Sequence, residues 1–290
     1  MIPKQKIPSF QKHILDWYHK NQRDLPWRKT RDPYNILISE VMSQQTQLSR
    51  VVPKYEVWMK KFPTVQDLAQ SSVAEVLEYW SGLGYNRRAL NLKKAAEKIV
   101  REFNGVFPQT EKELTSLPGI GKYTARAVLC FAFDEQVTVV DTNVRKVILT
   151  QFFNNSGEGG NSKILQISDA EITPLSRITD SEINEIAEQL LPKGKAYEWN
   201  QALMDYAASV LKKEKIPIPK QSKFIGSHRY YRGQILKLLL QKKSVAIEEI
   251  GSFIKKEYTH DEKEWLQKLL DELVDEGFIL IENDTIELVS

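Results

Sequence analysis

Hydrophobic residues recur at three- and four-residue intervals through most of positions 8–220, as in FQKHILDWY, ILISEVMSQQ, VAEVLEYWSGL and INEIAEQLL. That spacing lays one apolar stripe along an α-helix, and short turns marked by Pro or Gly separate the stripes. The pattern predicts a succession of packed helices and no strand in this region. Residues 154–163, NNSGEGGNSK, interrupt it, and 164–180 carry only weak periodicity, which predicts an insertion or mobile connection. A second break falls at IPIPKQSK, 216–223. Beyond it the spacing predicts helices near 228–242, 245–257 and 260–277. FILIENDTIELV then alternates apolar and polar positions around the turn Glu282-Asn283-Asp284, as a β-hairpin does. Three helices followed by a hairpin predict a winged helix.

Composition narrows the class without naming a function. The 290 residues, 41% hydrophobic and 27% charged, suit an ordinary globular protein of two domains, or of one domain with an appendage. No apolar run approaches the ~20 residues that span a bilayer, and the N-terminus MIPKQKIPSF lacks the basic-then-apolar order of a signal peptide. A cytoplasmic, nucleoid-associated location is therefore expected. The single cysteine, Cys130, lies in the apolar run AVLCFAF and reads as a core residue. The net charge of +3 is unevenly spread: residues 1–220 hold 31 Lys and Arg against 25 Asp and Glu, and 221–290 hold 10 against 13. If one part meets a polyanion, it is the first.

The stretch LPGIGKYTARAV, Leu117 to Val128, frames a tight turn with Gly119 and Gly121 and then restarts a helix at once. Glycines there can take positive φ, and without a Cβ they let another molecule approach the backbone. The N–H groups of the turn and of the next helix's first turn then point to one place, where an anion such as a nucleic-acid phosphate binds. A packing corner would also use glycine. Twenty residues on, VTVVDTNVRKVI sets Asp141 at the end of an apolar run, followed by Asn143. Asp141 could serve as an N-cap alone, but a hairpin, an apolar helix and a capping Asp in this order and spacing form a far more specific signal.

These residues resemble the helix–hairpin–helix DNA glycosylases of the endonuclease III superfamily, in which the hairpin grips the DNA backbone, often with a bound monovalent cation. Here that cation would sit on the backbone of Leu117–Gly121. The resemblance implies a mainly α, two-lobed fold: a six-helix lobe over about 26–133, a second lobe from 1–25 plus 134–220, and the winged-helix-like domain at 224–290. Where members of the superfamily carry lysine two residues beyond the second hairpin glycine, its amine attacks the sugar. This chain has Tyr123, whose phenol, with an ordinary pKa of about 10, is no amine nucleophile. Base removal by water, without efficient strand cleavage, is expected.

LPWRKTRDPYNILISEVMSQQTQLSRVVPKYEVWMKKFPT, 25–64, WSGLGYNRRALNLKKAA, 80–96, and QALMDYAA, 201–208, closely resemble the MutY-type adenine DNA glycosylases. Removing adenine requires protonating the ring and stabilising the oxocarbenium ion left on the sugar. Glu40 lies in the apolar pattern ILISEVM, where burial would keep it protonated, although by itself it reads first as an exposed helix residue. By resemblance Glu40 protonates N7 and later activates water, Asp141 stabilises the sugar cation, and Tyr123 and Asn143 orient the intermediate and the water. Arg28 would contact an adenine flipped out of the duplex. Gln45 and Tyr85 match intercalating positions, and Thr46 and Leu83 match positions beside the opposite base; Tyr85 and Leu83 could instead be core. Gly119, Gly121 and Lys122 would meet the backbone, with Arg126, Arg87 and Arg88 as further phosphate contacts. The partner implied is double-stranded DNA with an adenine mispaired with 8-oxoguanine or guanine, bound by a monomer in base excision repair.

Three departures qualify the resemblance. MutY-type enzymes commonly carry four cysteines after the QALMD segment that hold an iron–sulfur cluster, whereas here YAASVLKKEKIPIPK has none, so no cofactor is expected and Ile216 and Ile218 would brace the loop. The usual C-terminal domain, related to NUDIX hydrolases, which reads 8-oxoguanine, is replaced by about 70 residues of winged-helix pattern. Its third helix, THDEKEWLQKLLDELVDEGF, is rich in acids that phosphates would repel, which suggests packing or a protein partner. Ser43 stands where the family usually has leucine. A glycosylase removing thymine or uracil opposite G, and a non-catalytic protein that binds damaged DNA, are the competing readings.

Overall fold

The computed structural model describes residues 4–153, 178–214 and 223–289. Most of the insertion expected at 154–180, and Ile216 and Ile218, lie outside these residues. The elements run α1 (Ile7–Asn21), α2 (Pro33–Ser43), α3 (Leu48–Lys61), α4 (Val65–Gln70), α5 (Val73–Trp80), α6 (Arg87–Phe103), α7 (Glu111–Thr115), α8 (Lys122–Phe133), α9 (Thr142–Phe152), α10 (Asp180–Leu190) and α11 (Ala196–Ser209). They continue with α12 (His228–Lys242), β1 (Ser244–Ala246), α13 (Ile247–Ile254), α14 (Lys263–Asp275), β2 (Ile279–Glu282) and β3 (Thr285–Leu288). The fold is mainly helical, as the periodicity predicts. None of the described helices is long and apolar enough to cross a membrane.

Local chemistry sets many of the boundaries. Thr64 with Asp67, Ser72 with Glu75, and Thr179 with Glu182 form reciprocal capping boxes that start α4, α5 and α10. α6 stops at Asn104 and α8 at Asp134, both left-handed, a conformation that short polar side chains tolerate.

Contacts divide the chain into two compact units: 1–40, 108–116 and 120–219 in one; 41–107, 117–119 and 220–290 in the other. In the first, α1 packs on α11, and α11 on α9. Phe10 centres that core, with its ring edge-on to Phe152 at 5.2 Å and to Trp199 at 5.8 Å. In the second, Trp58 stacks edgewise on Phe62 and Trp80, and α4 and α5 cover α6.

Residues 224–290 share the second unit with 41–107 instead of forming one of their own. Leu236 and Leu239 of α12 and Leu266, Leu269, Leu270 and Leu273 of α14 bury into the same cluster as Val73 and Leu77 of α5 and Leu90 of α6. The order helix, strand, helix, helix, hairpin is that of a winged helix, with strands arranged β1-β3-β2. β1 is the element that apolar spacing missed: Val245 pairs with Ile286 on β3, so α13 starts only at Ile247. The β2–β3 turn has two residues, Asn283 at φ 49° and Asp284 at φ 57°, the pair of left-handed positions that a tight hairpin needs.

Candidate active site

The first unit brings Glu40, Tyr123, Asp141 and Asn143 into one electrostatic group. Asp32 starts α2 by accepting the Asn35 N–H at 3.0 Å, and Ile36, Leu37, Ile38, Ser39, Val41 and Met42 are all buried. A helix buried on so many faces carries Glu40 into an apolar setting while part of its surface stays accessible. Burial pushes the Glu40 carboxyl from its ordinary 4.5 up to about 7, and the nearby charge of Asp141 adds to the rise. The hydrogen bond from Tyr123 and the charge of Arg28 oppose it.

Tyr123, the second residue of α8, donates its Oη–H to Glu40 Oε2 at 2.8 Å. Burial, and then the charges of Glu40 and Asp141, hold this phenol protonated well above its ordinary pKa of 10. Asp141 does cap α9: Oδ1 accepts the Val144 N–H at 2.7 Å, and Oδ2 accepts Asn143 Nδ2–H at 2.7 Å. Burial raises the Asp141 pKa, while these hydrogen bonds pull it down. Capping does not isolate the carboxylate, whose charge raises the pKa of both Glu40 and Tyr123.

Arg28 is committed elsewhere. Its Nη1 and Nη2 donate to the two oxygens of Asp205 at 2.8 and 2.7 Å, and its side chain is 8% exposed. Asp205, at 0% exposure, also accepts the Arg23 N–H at 3.0 Å and Nε–H at 2.6 Å. The structure thus gives Arg28's terminal nitrogens to a buried ion pair, neither the open base contact nor the surface salt bridge considered from sequence. Sequence reasoning passed over Asp205 and also Asn200. At 1% exposure, Asn200 Oδ1 accepts the Val139 N–H at 2.8 Å and its Nδ2–H reaches Val137 O at 3.0 Å. These bonds fix the extended approach to Asp141. The sequence signal for both is the set of three polar residues, Asn200, Gln201 and Asp205, inside the largely apolar WNQALMDYAA.

The second unit holds the residues matched to the duplex interior and the opposite base. Gln45 and Tyr85 are exposed, and both are left-handed, with φ of 52° and 51°. Arg88 holds both turns. Nη1 donates to the carbonyls of Val41, Met42 and Gln44, and Nη2 donates to Thr46 Oγ1 and to the carbonyls of Leu83 and Gly84. This corrects the expected phosphate contact: the guanidinium is engaged with backbone, and burial lowers its pKa to about 10, so it remains charged at neutral pH. Arg88→Met is expected to cost roughly 2–3 kcal/mol in denaturant unfolding, since the carbonyls it serves lose a charged donor. A change below ~0.5 kcal/mol would mean that the loops hold themselves.

Leu83 is 6% exposed and packs as core, one of the two readings its sequence position leaves open. Arg126 is likewise engaged, donating to Glu111 at 2.9 Å and Thr138 at 3.2 Å. Lys122 is exposed at the start of α8, and Arg87 is 70% exposed, 3.8 Å from Glu276. Of the hairpin glycines only Gly119 needs positive φ, at 75°, and a Cβ there would lie 2.6 Å from Asn91 Cβ. Gly121 is extended, caps α8 without a side chain, and has open space where a Cβ would project. Gly119→Ala is expected to lower stability by about 1–2 kcal/mol for the left-handed backbone alone, read as a drop in Tm. An unchanged Tm would show that the hairpin relaxes freely.

Among the described residues no three His, Cys, Asp or Glu side chains are grouped as metal ligands. Cys130 is buried in α8, where burial pushes its thiol up to about 12, and residues 201–214 contribute no cysteine. The residues present do not fit a four-thiolate cluster.

Residues 38–169 match the HhH-GPD superfamily of base excision DNA repair proteins. A solved thermostable thymine-DNA glycosylase is 32% identical, with a TM-score of 0.60 over 71% of this chain and 87% of that one. An endonuclease III trapped covalently on DNA shares the fold at 22% identity, with a TM-score of 0.56 over 71% of this chain and 86% of that one. The chain belongs to the HhH-GPD superfamily. Within it, the adenine DNA glycosylase of Rattus norvegicus is 37% identical over 213 residues, 70% of this chain and 38% of that protein. The enzyme of that name from Mycobacterium tuberculosis is 44% identical over 151 residues, 52% of this chain and 50% of that protein. The chain thus spans half or less of the length of these curated relatives.

Proposed function

We propose that this chain is a monofunctional adenine DNA glycosylase of base excision repair, hydrolysing the N-glycosidic bond of adenine mispaired with 8-oxoguanine or guanine in nucleoid DNA. The observation that carries the reading is Glu40, raised to about 7 by burial and held by Tyr123, in the field of the helix-capping Asp141. With Tyr123 filling a lone pair of Oε2, Oε1 is left to carry a proton to adenine N7. Departure of the neutral base leaves an oxocarbenium ion, whose charge the Asp141 carboxylate offsets while Asn143 fixes its orientation. Glu40, now ionised, takes a proton from the attacking water. The names of the curated relatives support the substrate.

A second reading, thymine or uracil removal opposite G, is favoured by the likeness to the thymine-DNA glycosylase. A pyrimidine offers no N7 for Glu40, which ranks this reading below the first. Single-turnover incubation with duplexes carrying A, T or U opposite 8-oxoguanine or G, developed with alkali to cut at abasic sites, separates the two. Strand breaks only at A are expected. Breaks only at T or U would transfer the chain to the second reading, and none with tight binding would leave a damage-binding protein.

A further inference from the structure

The second unit contains a cavity of about 730 Å³ whose walls come from three places in the sequence. Gln45 and Tyr85 form one side, Gly119 of the hairpin borders it, and Phe224, just before α12, with Arg229 and Arg232 in its first turns, forms the other. Arg87 and Arg88 also line it, the latter with its guanidinium turned to the backbone, and the carboxylates beside the four arginines are Glu276 in the lining and Glu272, 3.5 Å from Arg232. Glu276 is already paired with Arg232 at 2.7 Å. The balance is cationic, and the size is that of a site enclosing one nucleotide-sized ligand. Phe224 is 58% exposed and braced edge-on by Tyr230 at 5.7 Å, an arrangement that offers a ring face to a base.

The winged helix does not present α14, the helix that would read DNA in the usual docking of this motif. The apolar face of α14 is buried in the shared core, and its remaining surface is acidic. The domain lines the cavity with the basic, aromatic start of α12 and with Leu273, Glu276 and Phe278, and of these the α12 side supplies the cations.

We propose that the C-terminal winged helix supplies the opposite-strand reader: Phe224, Arg229 and Arg232 close, with Gln45 and Tyr85, a pocket for the nucleotide left facing the extruded adenine and for its flanking phosphates. The inference rests on the glycosylase reading above for the identity of that nucleotide. Phe224 stacks on the base, and the arginines neutralise phosphates.

The test uses the full chain with Phe224→Ala, Arg229→Glu and, as a charge control on the exposed surface of α14, Lys268→Glu. Affinity is measured by fluorescence anisotropy on duplexes holding a non-hydrolysable adenine analogue opposite 8-oxoguanine, G or C, over a range of salt. Arg229→Glu should weaken binding about tenfold or more and flatten the slope of log affinity against log salt by about 1 or more. Phe224→Ala should shrink the preference for 8-oxoguanine over C about fivefold or more, and Lys268→Glu should match the parent protein. Parental affinity and preference in both pocket variants would overturn the inference, as would equal losses in Lys268→Glu. Failure of the parent protein to release adenine would instead overturn the glycosylase reading, whatever the variants bind.

Discussion

Glu40→Gln is expected to lower single-turnover adenine release about 10²- to 10⁴-fold, the range for loss of a positioned general acid, while making the protein more stable above neutral pH. The two effects have one cause. Glu40's folded pKa, about 7, lies above its ordinary 4.5, so between those values the folded state holds a proton that the unfolded state has released. The stabilisation from that proton is fully present below about 4.5 and is lost as pH rises through about 7. Glutamine cannot ionise, so the variant should exceed the parent by on the order of 2–3 kcal/mol at pH 8, and the difference should close towards pH 4.5. Parental release should fall as pH rises past 7, as Glu40 loses its proton, and should also fall in acid as Asp141 gains one. The measurements are pH profiles of release at saturating enzyme and urea unfolding at both pH values. Full activity in Glu40→Gln would remove Glu40 from the mechanism; no gain at pH 8 would mean that its burial costs nothing.

Asp205→Asn is expected to destabilise the protein by about 3–5 kcal/mol, the penalty for leaving a buried charge without its partner. That is a large share of the 5–15 kcal/mol that ordinarily separates folded from unfolded chains. Burial opposes the charge on Asp205, yet the hydrogen bonds and charges of Arg28 and Arg23 overcome it and keep the carboxyl below its usual range. Replacing the buried pair, Arg28→Met with Asp205→Leu, should recover the part of the loss that comes from the unmatched Arg28 charge, while the partly exposed Arg23 still lacks its acceptor. The single variant also has a chemical signature. Arg28 lowers the Glu40 pKa, and without Asp205 its charge is no longer offset, so the alkaline limb of adenine release should move to lower pH. Denaturant unfolding checks the first effect and the pH profile the second. A loss below ~1 kcal/mol would place water or a rearranged side chain at the pair.

How much of this could be read in advance depended on the range of each interaction. The hairpin glycines, the capping Asp141 and the apolar surroundings of Glu40 are local in sequence, and local patterns carry their own signal. Arg88 and Asp205 are different. Arg88 serves carbonyls on either side of α3, α4 and α5, and Asp205 meets Arg28 across 177 residues. An arginine in NRRAL reads as solvated until the carbonyls it meets are known, which is why Arg88 and Arg126 were expected at phosphates. Leu83 was ambiguous for the opposite reason, since a leucine near an aromatic suits a wedge and a core equally. β1 escaped because three residues are too few to show alternation, and only pairing with β3 makes Ser244–Ala246 a strand.

Because Val73, Leu77 and Leu90 share a hydrophobic core with α12 and α14, the C-terminal half of the second unit is not a detachable cassette. A gene fusion that swapped 224–290 for another C-terminal module would strip three apolar side chains of their cover, and the recipient would meet the cell with a sticky flank. A viable exchange of 224–290 therefore requires matching changes on α5 and α6.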